Sequence, residues 1–203
     1  MAETASPIGV VLAGGRGRRM GGAKAAVQLR GRPLIEYPLQ ALRQVLDDVA
    51  VIAKPDTELP PLPGVTVWME PAEPRHPLVG IVEALAVAGS RPVLVCAADL
   101  PLVSPALITR LVSAEPRGAP AAIATRRGQI QPLLGRYLPS AALLLAPAAR
   151  QAEQPVRQAV EAIDPLHIEV ADPDELFNVN SPEDLLIAQT LLDRKSARRT
   201  TRT

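Results

Sequence analysis

The residues best equipped for chemistry lie near the N-terminus, in Leu12-Ala13-Gly14-Gly15-Arg16-Gly17-Arg18-Arg19-Met20-Gly21-Gly22-Ala23-Lys24. Glycines let a backbone pass close to an anion and aim N–H groups at it, while Arg and Lys add charge-assisted hydrogen bonds. Between Thr4 and Ile35 the chain has no Asp or Glu, yet it has Arg16, Arg18, Arg19, Lys24, Arg30 and Arg32. That local excess can neutralise a polyphosphate. A solvated basic loop would carry the same charges, but the apolar stretch before the loop and the glycines within it favour binding. Two common phosphate motifs do not fit. A P-loop needs Gly-Lys-Ser/Thr, whereas Ala23 separates Gly22 from Lys24 and Ala25 follows. A dinucleotide fingerprint needs a third glycine where Met20 stands.

Two further places offer polar groups. Asp99 follows the apolar run Val93–Ala97 and precedes Pro101. An Asp there is either a turn or cap residue or a hard oxygen ligand for Mg²⁺, which takes one or two carboxylates together with phosphate oxygens. Near the C-terminus, Asn178 and Asn180 precede Ser181-Pro182-Glu183-Asp184. The hydroxyl, proline and acids read as a helix start, which leaves the two amides free to line a site near metal or phosphate. Cys96 is the single cysteine and sits within an apolar run, so it reads as core and not as a nucleophile. His76 and His167 show no zinc spacing.

These residues need elements to hold them. Short aliphatic runs at Ile8–Ala13, Val49–Ala53, Val65–Met69, Val93–Ala97, Ala121–Ala124 and Leu133–Gly135 alternate with longer helical patterns. That rhythm is α/β, with a mostly parallel central sheet and helices on both faces. Helices are expected over Leu34–Leu46, after Ser104-Pro105, and from Ser181-Pro182 onward. The sheet's carboxyl edge, where open α/β sheets bind ligands, would then carry both Gly14-Gly15 and Asp99. The 22 prolines concentrate in connections such as Pro55–Pro63 and Pro71–Pro77. The stretch from Pro116 to Val170 is less periodic and is expected to hold strand additions and helices that carry the second substrate.

With 203 residues, 47% of them hydrophobic and only 2% aromatic, the chain suits one aliphatic core. Residues 1–193 are expected to form one domain and 194–203 a basic disordered tail. A net charge of +1 gives no global pull toward nucleic acid or membrane. With neither an apolar span nor a signal-peptide pattern, the expected location is the cytoplasm.

Taken together, Leu12-Ala13-Gly14-Gly15, Arg19-Met20-Gly21, Lys24, Gly31-Arg32-Pro33-Leu34, Cys96–Pro101 and Phe177–Leu185 resemble nucleotidyltransferases of the molybdenum cofactor guanylyltransferase type. His76-Pro77-Leu78-Val79-Gly80 is similar to that family's Gly-Pro-Leu-x-Gly segment. The resemblance implies a three-layer Rossmann-like nucleotidyltransferase fold. It also implies transfer of GMP from GTP to molybdopterin, with release of pyrophosphate and possible delivery proteins as partners. By the same resemblance, Asp99 would bind Mg²⁺, Lys24 and Arg19 would stabilise pyrophosphate, and Leu12, Ala13, Gly14 and Gly15 would meet the nucleotide. Glu70 stands where the family tends to have a nucleotide-holding Asp. The chain departs from the pattern at Ala23, where the family has Asp, and at Ile52 or Ala53, where a polar residue often meets the base. CMP transfer, another phosphorylated acceptor, or a non-catalytic nucleotide-binding adaptor therefore remain open readings of the sequence.

Overall fold

The computed structural model describes residues 5–14 and 24–200, with side chains to residue 197. Its first strand, β1 (Ile8–Leu12), is followed by a small antiparallel pair, β2 (Gln28–Leu29) and β3 (Arg32–Pro33). Then come helix α1 (Glu36–Arg43), β4 (Val49–Ala53), β5 (Thr66–Met69), α2 (Pro77–Ala88) and β6 (Val93–Ala97). After α3 (Pro105–Ser113) the chain forms the hairpin β7 (Ala121–Arg126) and β8 (Gln129–Tyr137), then α4 (Ser140–Gln151), α5 (Val156–Glu161), β9 (Leu166–Glu169) and α6 (Pro182–Thr200).

The seven-stranded sheet has the order β5-β4-β1-β6-β8-β7-β9. Only β8 runs against the rest, since it pairs antiparallel with both β6 and β7. The strands β1, β4 and β6 are aliphatic and almost wholly buried, as expected for strands covered on both faces. One face carries α1 and α3, whose Ile35, Leu39, Leu42, Leu107, Ile108 and Leu111 share a core with Val11 and Leu94. On the other face, Leu78, Ile81, Leu85 of α2 and Leu145 of α4 pack on Val10 and Val95. A third, smaller cluster joins α6 to the β2–β3 pair through Leu29, Leu34, Val179 and Ala188. The three-layer α/β architecture expected from the sequence is therefore present.

Successive strands step outward from β1 to β4 and β5, and the chain then returns to place β6 on the other side of β1. This reversal opens a crevice at the carboxyl ends of β1 and β6, the place where such sheets hold ligands.

Four elements differ from expectation. The helix expected over Leu34–Leu46 is α-helical from Glu36 to Arg43 and ends in turns, with Leu46 N still donating to Leu42 O at 2.9 Å. Strand β8 is nine residues long and contains Pro132, and β9 is one of the added strands expected between Pro116 and Val170, in a place that no aliphatic run marked. The segment from residue 194, expected to be a disordered tail, continues α6 as helix to Thr200. Its Lys195 Nζ donates to Leu102 O at 3.1 Å and pairs with Asp172 at 3.2 Å, which ties this turn to the body of the fold.

Candidate nucleotide site

At the carboxyl edge of the sheet, β1 ends in Leu12, Ala13 and Gly14, and β6 ends in Ala97, Ala98 and Asp99. The two ends are stitched together, because Ala98 N donates to Leu12 O at 3.1 Å. Ala13 N donates in turn to Ile52 O at 3.0 Å, so the backbone at this edge is held by its neighbouring strands. A cavity of about 190 Å³ opens there, lined by Leu12, Gly14, Lys24, Glu70, Gly80 and Asp99 among others.

Lys24 is the hub of the polar groups. Its Nζ lies 2.6 Å from Asp99 Oδ2 and 2.7 Å from Asn180 Oδ1, which joins three segments remote in sequence. Lys24 opens a single 3₁₀ turn, Lys24–Ala26, whose Ala25 is buried. Asn180 is set by its neighbour: Val179 is fully buried and its N–H donates to the backbone oxygen of Asp99 at 3.0 Å. The next helix starts as the sequence indicates, with Ser181 Oγ accepting from Asp184 N at 3.2 Å and Asp184 Oδ2 accepting from Asn180 N at 2.8 Å. The same capping logic starts α3, where Ser104 Oγ accepts from Leu107 N at 3.1 Å.

Asn178 is turned to a different partner. Its Oδ1 accepts from Gln131 Nε2 of β8 at 3.3 Å, so it braces the wall of the site, whereas Asn180 touches Lys24. Gly15 and Arg19 lie outside the described residues.

Glu70 follows β5 and is 5% exposed. A Cβ placed on Gly14 would come within 2.5 Å of Glu70 Oε1, and one on Gly80 within 3.2 Å of Glu70 Oε2 and 2.9 Å of Leu12 Cδ2. The Glu70 carboxylate thus packs directly against both glycines, and a side chain at either would have to push it or Leu12 aside. Burial pushes the Glu70 carboxyl up from its usual range, opposed by the nearby Lys54 ammonium. Lys54 did not emerge from the sequence. It follows β4, is 6% exposed, lies 3.6 Å from Glu70 Oε2, and donates to the carbonyls of Pro71 at 2.7 Å and Pro74 at 3.3 Å. Its only signal in the sequence is a lone lysine closing an aliphatic strand. Cys96 is fully buried in β6 and burial pushes its thiol up, as suits a core residue. His76 caps α2, with Nδ1 accepting from Leu78 N at 3.4 Å, and burial lowers its imidazole from the ordinary value.

A switch-point crevice with an acid, a lysine and a close-approach glycine has the form of a nucleotide-handling α/β enzyme. The chain belongs to the MobA-like NTP transferase family, whose domain matches residues 9–166, and it is a nucleotidyltransferase. The molybdenum cofactor guanylyltransferase of Cereibacter sphaeroides is 33% identical over 194 residues, which cover 94% of this chain and 98% of that protein. The protein of the same name from Pseudomonas syringae pv. syringae is 34% identical over 178 residues, covering 85% and 88%. Among solved structures, molybdopterin-guanine dinucleotide biosynthesis protein A from Archaeoglobus fulgidus superposes with a TM-score of 0.74 at 25% identity, covering 92% of this chain and 98% of that one.

Nucleotidyltransferases of this kind generally use a divalent metal. The donor set fits one. Among the described residues Asp99 Oδ1 is buried with no hydrogen-bond partner, an orphaned hard anionic oxygen on a residue that lines the cavity. Among the described residues no three His, Cys, Asp or Glu side chains gather into a cage. A single carboxylate completed by phosphate oxygens suits a hard cation that keeps much of its water. Also among the described residues, no helix is long and apolar enough to cross a membrane.

Proposed function

We propose that this protein transfers GMP from GTP to molybdopterin, releasing pyrophosphate and forming the guanine dinucleotide form of the molybdenum cofactor. The observation that carries the reading is the Lys24 ammonium bridging Asp99 and Asn180 beside Gly14. It is supported by relatives named molybdenum cofactor guanylyltransferase along nearly the whole chain.

The reaction joins a phosphate of the acceptor to the α-phosphorus of GTP and breaks the bond to pyrophosphate. An acceptor phosphate is already anionic near neutral pH, so no general base is needed. The protein's work is alignment and neutralisation of charge. Asp99 would hold Mg²⁺, which screens the triphosphate and polarises its oxygens when bound. The backbone of Leu12, Ala13 and Gly14 lies along the nucleotide. Lys24 stabilises charge that develops on the leaving pyrophosphate, with Asn180 fixing its position, and Arg19 is proposed to act beside it. Glu70 contacts the nucleoside. Asn178 holds the β8 wall through Gln131, on the side where the acceptor would enter.

The test is pyrophosphate release from GTP, CTP, ATP and UTP in turn, with Mg²⁺ and molybdopterin. Release from GTP well above the other three is expected. Equal release from all four, or none with the acceptor present, would sink the reading.

A further inference from the structure

Three ionic side chains line the cavity: Lys24 and Asp99, paired at 2.6 Å, and Glu70. Lys24 attracts a polyphosphate and Asp99 would meet it through a divalent cation, while Glu70, after β5 and away from the β6 side of the sheet, repels it, so the side of the cavity at Glu70 is left for the uncharged nucleoside. Glu70 and Lys54 form an ion pair in which both side chains are nearly inaccessible to water. Burying such a pair carries a large desolvation cost, and removing one partner leaves the other charge uncompensated. Lys54 is fastened by three interactions, to Glu70 and to the carbonyls of Pro71 and Pro74. Glu70 is not saturated: its Oε2 is buried without a hydrogen bond, and the carboxylate stands against the bare Cα atoms of Gly14 and Gly80.

We propose that Lys54 is a specificity-determining positioning residue, one that keeps Glu70 a carboxylate so that the nucleoside end of the cavity takes guanine. The inference rests on the GTP reading above. An ionised carboxylate only accepts hydrogen bonds; a protonated one both donates and accepts. Guanine offers the donors N1–H and the N2 amino group, which need an acceptor at Oε1, since Oε2 is buried beside Lys54. Cytosine offers one donor at N4 beside an acceptor at N3, which matches a protonated carboxyl. The charge on Glu70 thus decides which edge is satisfied, and a buried polar group left unpaired is heavily penalised. Besides Lys54, the charged groups acting on Glu70 are Arg75, which favours its ionised form, and Glu83, which opposes it. Arg75 is engaged by Asp56 and Glu73, so Lys54 is the cation committed to this carboxylate.

The experiment measures binding of GTP, CTP and 2′-deoxy-GTP, each with Mg²⁺, to the full chain by calorimetry, at a mildly acidic and at an alkaline pH. Wild type is expected to prefer GTP over CTP at both. In Lys54→Met that preference falls about tenfold or more at the lower pH and recovers at the higher one, because losing the acceptor match to guanine weakens base discrimination by this order. In Glu70→Gln, which keeps Lys54 and its carbonyl bonds, the preference is lost at both pH values. This variant also carries the test if Lys54→Met fails to fold. A folded Lys54→Met with the wild-type GTP-to-CTP ratio at both pH values would overturn the inference and leave the GTP reading standing. So would a change confined to the ratio of GTP to its 2′-deoxy form, which would assign Glu70 to the ribose. A wild type without preference for GTP would instead overturn the reading on which the inference rests.

Discussion

Asp99 carries the heaviest burden of any single side chain. One of its oxygens anchors Lys24 and the other is buried without a partner. Asp99→Asn removes a negative charge while keeping the shape, so circular dichroism should be unchanged while pyrophosphate release falls by about 10²-fold or more. A variant with near-normal turnover would remove Asp99 from the mechanism. At this scale the sequence was informative wherever a residue type had few other uses. A lone Asp after a buried strand, a Lys after a glycine-rich loop and an Asn ahead of a helix cap converge on one point in space. Lys54 was not legible, because a lysine after a strand reads as solvated and only the fold reveals that prolines roof it over. Asn178 and Asn180 could not be told apart in sequence either. Their different partners depend on where β8 runs.

The elements that set these residues in place depend on caps and pairing. Ser104→Ala removes the side-chain acceptor at the start of α3 and should lower unfolding free energy by about 1 kcal/mol, read by urea denaturation. An unchanged midpoint would mean that Pro105 alone fixes the start. Strands β1, β4 and β6 were legible because burial on both faces makes them continuously aliphatic. Strand β8 was only partly so, since Pro132 argues against a strand. The proline is accommodated where the pairing of β7 with β8 shifts register, between Ile123 and Thr125, so no ladder bond is asked of its nitrogen. The four-residue β9 lies at the sheet edge with alternate half-buried and exposed positions, too little apolar content for a sequence signal. Beyond residue 193, α6 carries the tertiary contacts of Lys195 with Leu102 and Asp172, which composition does not encode.

For the molecule as a whole, ligand and proton binding both feed into stability. A nucleotide that binds only the folded chain stabilises it by about 2.7 kcal/mol at a hundredfold excess over its Kd. GTP with Mg²⁺ should therefore raise Tm in a thermal melt, and a chelator should remove most of the gain. An identical shift in chelator would argue against a metal-assisted site. Proton linkage gives a second expectation. The Glu70 carboxyl is raised above its ordinary value of 4.5 in the fold, so between that value and the raised one the native state holds the proton more tightly than the unfolded chain. The contribution of Glu70 to stability is then greatest at low pH and falls as pH rises through this window. Glu70→Gln lacks this titration, so the stability of wild type minus that of the variant should decline with rising pH across the window. A difference that stays flat or grows would contradict the assigned direction.

The bond between Lys24 and Asn180 spans 156 positions of the chain. A ribosome finishes Lys24 long before it reaches the asparagine that accepts its hydrogen bond. An emerging chain can therefore build β1, β4 and β6 and still lack this contact, which only the closing segment of the fold supplies.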